Sequence, residues 1–100
     1  MVVLFLDQEH RLLSEECFVS GSADCLSLRP RALFSRALAL GSRAIVLAHN
    51  HPSGNATPSA RDVDATARIG RDARWLDMEL VDHLVVAGSC VTSMKRAGLL

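Results

Sequence analysis

Residues 44–62 read AIVLAHNHPSGNATPSARD and contain a strand, a loop and the start of a helix in one run. Residues 44–47 are a short apolar stretch typical of a buried strand, and the stretch leads directly to His49. Pro, Ser, Gly, Asn and Thr then dominate residues 50–58, which is the composition of a loop. A helical pattern follows over about residues 58–75. A buried strand joined by a loop to a long helix is typical of an α/β domain.

The sequence on both sides of this run predicts a second helix and four more strands. Pro30 suits the first turn of a helix and Gly41 its end, and the apolar face between them carries Leu33, Phe34, Ala37 and Leu38. Apolar runs separated by turn residues predict strands at residues 2–6, 12–19, 80–87 and 90–93, with a polar turn at 7–10 and a loop at 20–24.

The resulting order, ββαβαββ, predicts a single-domain α/β fold over residues 1–100. We expect a mixed, largely antiparallel sheet flanked by helices, with one helix on each side. In the second helix, the predicted inward residues are Val63, Ala67, Gly70 and Ala73. The predicted outward residues are Arg61, Arg68, Arg71 and Arg74.

Charge and cysteine content argue against several classes of protein. Eleven basic residues balance eleven acidic ones, so no net positive field supports sequence-independent binding to nucleic acid. Cys17, Cys25 and Cys90 are odd in number and form no C-x-x-C pair, which fits neither a disulfide framework nor a thiolate zinc site. Residues 1–6 are too short for a membrane span and lack the pattern of a signal peptide. We therefore expect a reduced, cytoplasmic protein that does not bind membranes.

Two histidines and one carboxylate have the spacing of a metal site. His49 and His51 project to the same face because strand side chains alternate. Ser59 and Asp62 share a face in the first turn of the helix, and the loop lets that face return to the histidines. Two imidazoles and a carboxylate fill three positions of a tetrahedral zinc site, and a fourth position open to water is typical of catalytic zinc. The Ser59 hydroxyl would then contact that water or an oxyanion.

A plainer interpretation exists for the same residues. Ser59-x-x-Asp62 matches a capping box, in which the two residues satisfy helix N-terminal donors and bind nothing else. However, Thr57 as N-cap with Pro58 at the first helical position would supply a cap of its own. We expect this second arrangement, which leaves Ser59 and Asp62 available for the metal site.

The complete spacing H-x-H-x7-S-x2-D, with HNHPSG at residues 49–54, resembles the JAMM (MPN+) metalloprotease motif in the form found in the RadC-like family. The resemblance extends over nearly the whole chain, with further matches at residues 4–7, 29–31, 80–83 and 96–100. It implies the cytidine-deaminase-like α/β architecture of JAB/MPN domains. It also implies hydrolysis of an amide or isopeptide bond in a protein or peptide substrate.

The resemblance assigns roles to four residues. His49, His51 and Asp62 correspond to the zinc ligands, and Ser59 corresponds to the catalytic partner of the water or oxyanion. JAMM enzymes also use a glutamate as general base, a contribution of about 10²–10⁴-fold, and the resemblance places it just upstream of Met1. Glu15 or Glu16 could substitute for it, although a solvated strand edge is the favoured interpretation of both. The resemblance also implies an N-terminal helical region through which nucleic acid would be contacted, and we expect residues 1–100 to lack it.

Three functional hypotheses follow. The first is the zinc hydrolase, and the second is a catalytically silent interaction module in a DNA-repair setting that retains the metal site. The third is base deamination, which fits the architecture but lacks the cysteine ligands and the H-x-E signature. Exposed edge strands would also favour a homodimer.

The remaining histidines and the tryptophan receive simpler interpretations. Asp82 and His83 are adjacent on a strand and point to opposite faces, which argues against a joint relay. We predict that His83 has a structural role or supports a ligand, and that His10 is solvated in a turn. Trp75 is expected in the core or in an interface.

Overall fold

A computed structural model of the chain describes residues 1–18 and 28–100. The elements in chain order are β1 (Val2–Leu6), β2 (Leu12–Cys17), α1 (Pro30–Leu40), β3 (Ala44–Asn50), α2 (Ala60–Trp75), β4 (Glu79–Ala87) and β5 (Cys90–Ser93). The predicted order of elements is confirmed. β2 ends at Cys17, so Phe18 lies outside the strand that was expected to include it, and Val19 lies outside the described residues. The predicted loop at residues 20–24 and Cys25 lie outside the described residues.

The five strands form one mixed sheet in the order β2-β1-β3-β4-β5. Only β3 and β4 pair in parallel among the described strands, and the other neighbours are antiparallel. This confirms the expected α/β fold with a mixed, largely antiparallel sheet. Val3 pairs with Leu47 and Phe5 with Ile45, so these four fully buried side chains lie on one face.

Both helices cover that same face of the sheet, so the expectation of one helix on each side is wrong. Leu33 and Phe34 of α1 and Ile69 of α2 belong to a single core cluster with Phe5 and Leu47. The physical reason is the handedness of crossovers. Strands β2, β3 and β4 run in the same direction, and both helical connections step the same way across the sheet. Right-handed connections then place both helices on one side.

The ends of α1 follow the predicted signals. Pro30 occupies its first turn, where a missing N–H costs nothing. Gly41 ends the helix in the left-handed conformation with φ 68°, and its N–H donates to the helix carbonyls. Leu33, Phe34 and Ala37 are buried as expected. Leu38 is 58% exposed, so its assignment to the buried face is wrong.

The buried face of α2 differs from the predicted one. Its buried residues are Asp62, Thr66, Ile69 and Ala73, so only Ala73 of the expected inward set is correct. Apolar periodicity failed here because two of the inward residues are polar and serve the site described below. The four arginines face outward, as predicted. Trp75 is 83% exposed, which contradicts a core position and leaves the interface prediction untested.

The helices and the cysteines bear on the predictions that the protein binds no membrane and keeps its cysteines reduced. None of the helices in the described ranges is long and apolar enough to span a bilayer. Cys17 and Cys90 are exposed free thiols. The expectations of a cytoplasmic protein and of a homodimer stay predictions.

Two glycine substitutions should shift the stability of the fold in opposite directions. Gly41→Ala places a Cβ in open space but in a left-handed conformation, so strain alone should cost about 1 kcal/mol. Gly70 lies inside α2, and the Cβ of Gly70→Ala would meet the Leu80 side chain at 3.7 Å, an ordinary van der Waals distance. This substitution should raise the free energy of unfolding by about 0.5–1 kcal/mol, because alanine favours the helix more than glycine does. Thermal unfolding should show shifts of about 4–8 °C per kcal/mol, and equal signs for the two variants would contradict this account.

Candidate metal centre

The candidate site lies where the parallel strands β3 and β4 end. His49 sits near the end of β3 on the face that the helices cover, and its side chain is 3% exposed. His51 follows the strand, and its backbone N–H donates to the carbonyl of Val86 at 2.8 Å, which keeps it beside β4. Ligands commonly bind at the carboxyl ends of parallel strands. The sheet therefore presents both imidazoles at such an end.

The loop after His51 turns back toward the site. Gly54 N–H donates to the carbonyl of His51 at 3.2 Å, and Gly54 has φ 80°, a conformation that suits glycine. Ala56 is buried and anchors the loop. Asn55 presents its carbonyl oxygen 2.9 Å from His51 Nδ1. The loop thus orients one of the two imidazoles directly.

The first turn of α2 is closed by a capping box, so the expectation that Thr57 caps the helix is wrong. Ser59 is the N-cap, and its hydroxyl accepts from the N–H of Asp62 at 3.1 Å. Asp62 Oδ2 accepts from the N–H of Ser59 at 2.8 Å. The two reciprocal bonds satisfy two helix donors together, whereas the N–H of Thr57 donates to the Asn55 side chain. The helix therefore starts at Ala60.

Capping does not remove Asp62 from the site. Its Oδ2 lies 3.0 Å from His51 Nε2, and its Oδ1 lies 3.5 Å from His49 Nε2. One donor atom from each of the three residues lies within 4.8 Å of the others. The Asp62 and His49 side chains are buried, and that of His51 is 19% exposed. The two interpretations of Asp62 are therefore compatible, because the carboxylate performs both roles.

Hydrogen bonds to the far sides of both rings determine which nitrogen faces Asp62. A carbonyl only accepts, so His51 Nδ1 carries a proton toward Asn55 and the Nε2 atom faces the carboxylate. His49 Nδ1 lies 2.7 Å from Nε2 of His83, which is fully buried. His83 Nδ1 in turn lies 2.7 Å from the hydroxyl of Thr66. Burial lowers the pKa of His83 to about 4, and His49 acts in the same direction, so the ring is neutral near pH 7.

The chemistry and spacing of these donors fit a zinc ion. Zinc takes imidazole nitrogen and carboxylate oxygen at about 2.0–2.2 Å, so two ligands of a tetrahedral ion lie about 3.4 Å apart. Asp62 Oδ2 lies 3.0 Å from His51 Nε2 and Asp62 Oδ1 lies 3.5 Å from His49 Nε2, and one donor atom from each of the three residues lies within 4.8 Å of the others, so the side chains are near that separation. Zinc-bound histidines usually donate their other N–H to a carbonyl or another acceptor, as both rings can do here. Within residues 1–18 and 28–100, His49, His51 and Asp62 can therefore hold a metal.

Ser59 lies at the edge of this cluster through its bonds to Asp62. Its oxygen accepts from a backbone N–H, which leaves the hydroxyl proton to be donated elsewhere. Neither of the substitute bases considered above reaches the cluster. Glu16 forms a salt bridge with Arg36 of α1 at 2.8 Å. The Glu15 side chain is exposed and points to the opposite face of the sheet, which the helices do not cover. A solvated strand edge therefore describes Glu15, whereas the Glu16 side chain is only 24% exposed and is paired with Arg36.

Sequence reasoning missed Thr66 and underused His83. Thr66 follows Asp62 by four residues, so helical periodicity alone could have placed both on one face. The expected divergence of Asp82 and His83 is confirmed. Asp82 accepts from Ser93 Oγ and from the backbone N–H of Lys95, away from the site.

Comparison with known proteins bears directly on this arrangement. The family model described as "RadC-like JAB domain" matches residues 1–99. This chain belongs to the RadC-like JAB domain family. The fold and the His-His-Asp cluster described above are thus those of a RadC-like JAB domain with a group of residues that can bind a metal.

Several relatives of this RadC-like JAB domain are UPF0758 proteins. UPF0758 protein PM1152 of Pasteurella multocida (strain Pm70) is 40% identical over 98 residues, which cover 98% of this chain and 44% of that protein. UPF0758 protein YfjY of Escherichia coli (strain K12) is 37% identical over 99% of this chain and 62% of that protein. UPF0758 protein BMASAVP1_A2646 of Burkholderia mallei (strain SAVP1) is 47% identical over 97% of this chain and 35% of that protein. The chain thus spans less than two thirds of each of these relatives.

Proposed function

We propose that this RadC-like JAB domain is a zinc-dependent hydrolase domain that cleaves an amide or isopeptide bond in a protein or peptide. The observation that supports this most directly is the cluster of His49, His51 and Asp62, whose donor atoms converge within 4.8 Å. These three residues would hold the ion. A bound zinc ion supplies Lewis acidity toward water and toward a carbonyl oxygen.

The protein's own groups contribute orientation and charge to such a reaction. The N–H groups at the start of α2 lie beside the cluster, and a helix N-terminus carries a partial positive charge. Ser59 can donate its hydroxyl proton to the oxyanion that forms when water attacks a carbonyl. Asp62 is held by the Ser59 N–H at 2.8 Å, so its carboxylate does not need to reorganise. Burial of His49 and Asp62 excludes bulk water and strengthens these interactions.

Two observations favour a second candidate, a catalytically silent module that keeps the metal for stability or for partner binding. Within the part of the chain that the structure describes, the cluster contains no glutamate that could act as general base. The capping box also gives Ser59 and Asp62 a structural role that requires no reaction. A catalytic test must therefore accompany a metal-binding test.

Zinc should raise the thermal stability of the chain substantially. A ligand that binds only the folded state adds about 2.7 kcal/mol at 100 times its dissociation constant. For a domain of this size the unfolding temperature should rise by roughly 10–20 °C, because 1 kcal/mol corresponds to about 4–8 °C. Differential scanning calorimetry with and without zinc, together with elemental mass spectrometry of protein purified without chelator, measures both effect and stoichiometry. Unchanged unfolding temperature and no bound zinc would reject both candidates.

Hydrolysis separates the two candidates. We expect zinc-loaded protein to cleave members of a library of lysine isopeptide and peptide amides, with products detected by mass spectrometry. Magnesium-treated protein is the control, because magnesium prefers an octahedral oxygen site to imidazole ligands. Full zinc loading without cleavage of any library member would favour the silent module.

A further inference from the structure

A buried chain of hydrogen bonds connects His49 and Asp62 on the side of the His49 ring that points away from the Asp62 carboxylate. It runs from His49 Nδ1 to His83 Nε2 at 2.7 Å, and from His83 Nδ1 to Thr66 Oγ1 at 2.7 Å. Thr66 Oγ1 then donates to the backbone carbonyl of Asp62 at 2.5 Å. The relative exposures of Thr66 and His83 are both 1%, so water does not compete with these bonds. The chain therefore joins β3, β4 and α2 through side chains alone.

The single hydroxyl proton of Thr66 determines the direction of every bond in this chain. When that proton is donated to the Asp62 carbonyl, the hydroxyl oxygen can only accept from His83 Nδ1–H. His83 is fully buried and its ring nitrogens contact a hydroxyl and an imidazole rather than a carboxylate, so the ring carries a single proton, and its Nε2 then accepts from His49 Nδ1–H. The lone pair of His49 Nε2 consequently faces Asp62. The Nδ1–H tautomer of His49 is the one that can bind a metal through Nε2.

The opposite direction would be incompatible with a metal. If the Thr66 proton were donated to His83 Nδ1, then His83 Nε2–H would donate to His49 Nδ1. His49 would carry its proton on Nε2, directed at Asp62 Oδ1, which lies 3.5 Å away. The short bond from Thr66 to the Asp62 carbonyl selects against this state. The Thr66 hydroxyl thus influences the tautomer of His49 through His83 and not by direct contact with the His49 ring.

We propose that Thr66 and His83 are positioning residues that hold His49 in the Nδ1–H tautomer and so prepare its Nε2 atom for the metal. This inference rests on the proposed function, since it assigns a purpose to a ligand of the same site. Neither residue contacts the metal or the substrate in this assignment. Their effect is on affinity for the ion, which is measurable without any catalytic assay.

The substitution Thr66→Val tests the proposal with little change in shape. Valine removes the hydroxyl, so His83 Nδ1–H loses its acceptor. The Nε2–H tautomer of His83 then becomes the more stable one, because its proton can be donated to His49 Nδ1. We expect zinc affinity to fall by about 10- to 100-fold, the usual range for partners of ligating histidines. The matched control is Thr66→Ser, which retains the hydroxyl and should bind zinc like the wild type. Competition with a chromophoric zinc chelator measures all three dissociation constants, and circular dichroism verifies folding.

Nitrogen-15 NMR of the zinc-free protein provides a readout that a merely structural role would not change. The ring nitrogen shifts should show His49 protonated at Nδ1 in the wild type and in Thr66→Ser, and protonated at Nε2 in Thr66→Val. A second variant, His83→Gln, offers a carbonyl acceptor in place of the ring nitrogen and should retain more zinc affinity than His83→Leu. Rescue by glutamine but not leucine would exclude a pure packing effect.

The outcomes separate this inference from the proposed function. Equal zinc affinity and equal His49 tautomer in wild type and Thr66→Val would overturn the inference while leaving the metal site intact. If neither the wild type nor any variant binds zinc, the proposed function fails. A change of the His49 tautomer in Thr66→Val would still show that Thr66 and His83 hold the ring in the Nδ1–H form. Weaker binding in Thr66→Val with restoration in Thr66→Ser supports both.

Discussion

Asp62→Asn should reduce zinc affinity by more than about 100-fold and abolish any zinc-dependent hydrolysis. The substitution removes the negative charge that faces both His49 Nε2 and His51 Nε2. Loss of partners outside the coordination sphere already costs about 10- to 100-fold, so loss of an anionic ligand should exceed that range. Asparagine keeps a carbonyl oxygen that can accept from the Ser59 N–H, so the helix cap and the fold should survive.

The matched control for this substitution is Asp64→Asn on the same helix. Asp64 is exposed and pairs with Arg68 at 3.1 Å, an interaction that is worth little on a solvated surface. The control should therefore bind zinc like the wild type. Isothermal titration with zinc and elemental mass spectrometry compare the two variants directly. Equal zinc content in Asp62→Asn and Asp64→Asn would show that the carboxylate of Asp62 is not a ligand.

Ser59→Ala should lower kcat of the proposed hydrolysis by about 10²–10³-fold, the usual cost of losing one donor to an oxyanion. The hydroxyl is the group of Ser59 that can donate toward a reacting carbonyl, since its oxygen already accepts from the Asp62 N–H. Zinc content should remain close to that of the wild type. The lost cap should cost about 1 kcal/mol of folding stability, which steady-state assays well below the unfolding temperature would tolerate.

Two variants isolate the role of the Ser59 hydroxyl. Ser59→Thr retains both the cap and the donor and should retain most of kcat. Ser53→Ala removes a hydroxyl from the exposed loop, where it accepts from the Asn55 N–H at 3.4 Å, and should leave kcat unchanged. A rise in KM with kcat intact in Ser59→Ala would assign Ser59 to substrate binding and contradict the proposed donor role.

Much of the site could be predicted from local sequence patterns. The spacing of His49, His51 and Asp62 follows from strand alternation and helical periodicity, which operate over a few residues. The structure brings those three side chains together, although their assignment as zinc ligands and the catalytic role of Ser59 stay predictions. The competing capping-box interpretation was also correct as a description of the helix start. The two interpretations are compatible, because Asp62 caps the helix and also faces both imidazoles.

Other features were beyond local reasoning because they depend on contacts between distant parts of the chain. The inward face of α2 carries Asp62 and Thr66, which an apolar pattern assigns to solvent. Burial of such polar groups is favourable only when hydrogen-bond partners are present, and one of those partners, His83, lies on β4. No local pattern around Thr66 reveals that strand as its neighbour.

Local patterns predict the order of strands and helices, the ends of α1, and the shared faces of His49, His51 and Asp62, because each depends on propensities and periodicities within one segment. Contacts between distant segments place both helices on one face of the sheet, leave Trp75 exposed, and bring His83 and Thr66 into a hydrogen-bonded chain behind His49. These outcomes depend on which strands are neighbours and on the hand of the connections between them. Residues 17 and 34 positions apart in the chain become hydrogen-bond partners only once that sheet has formed.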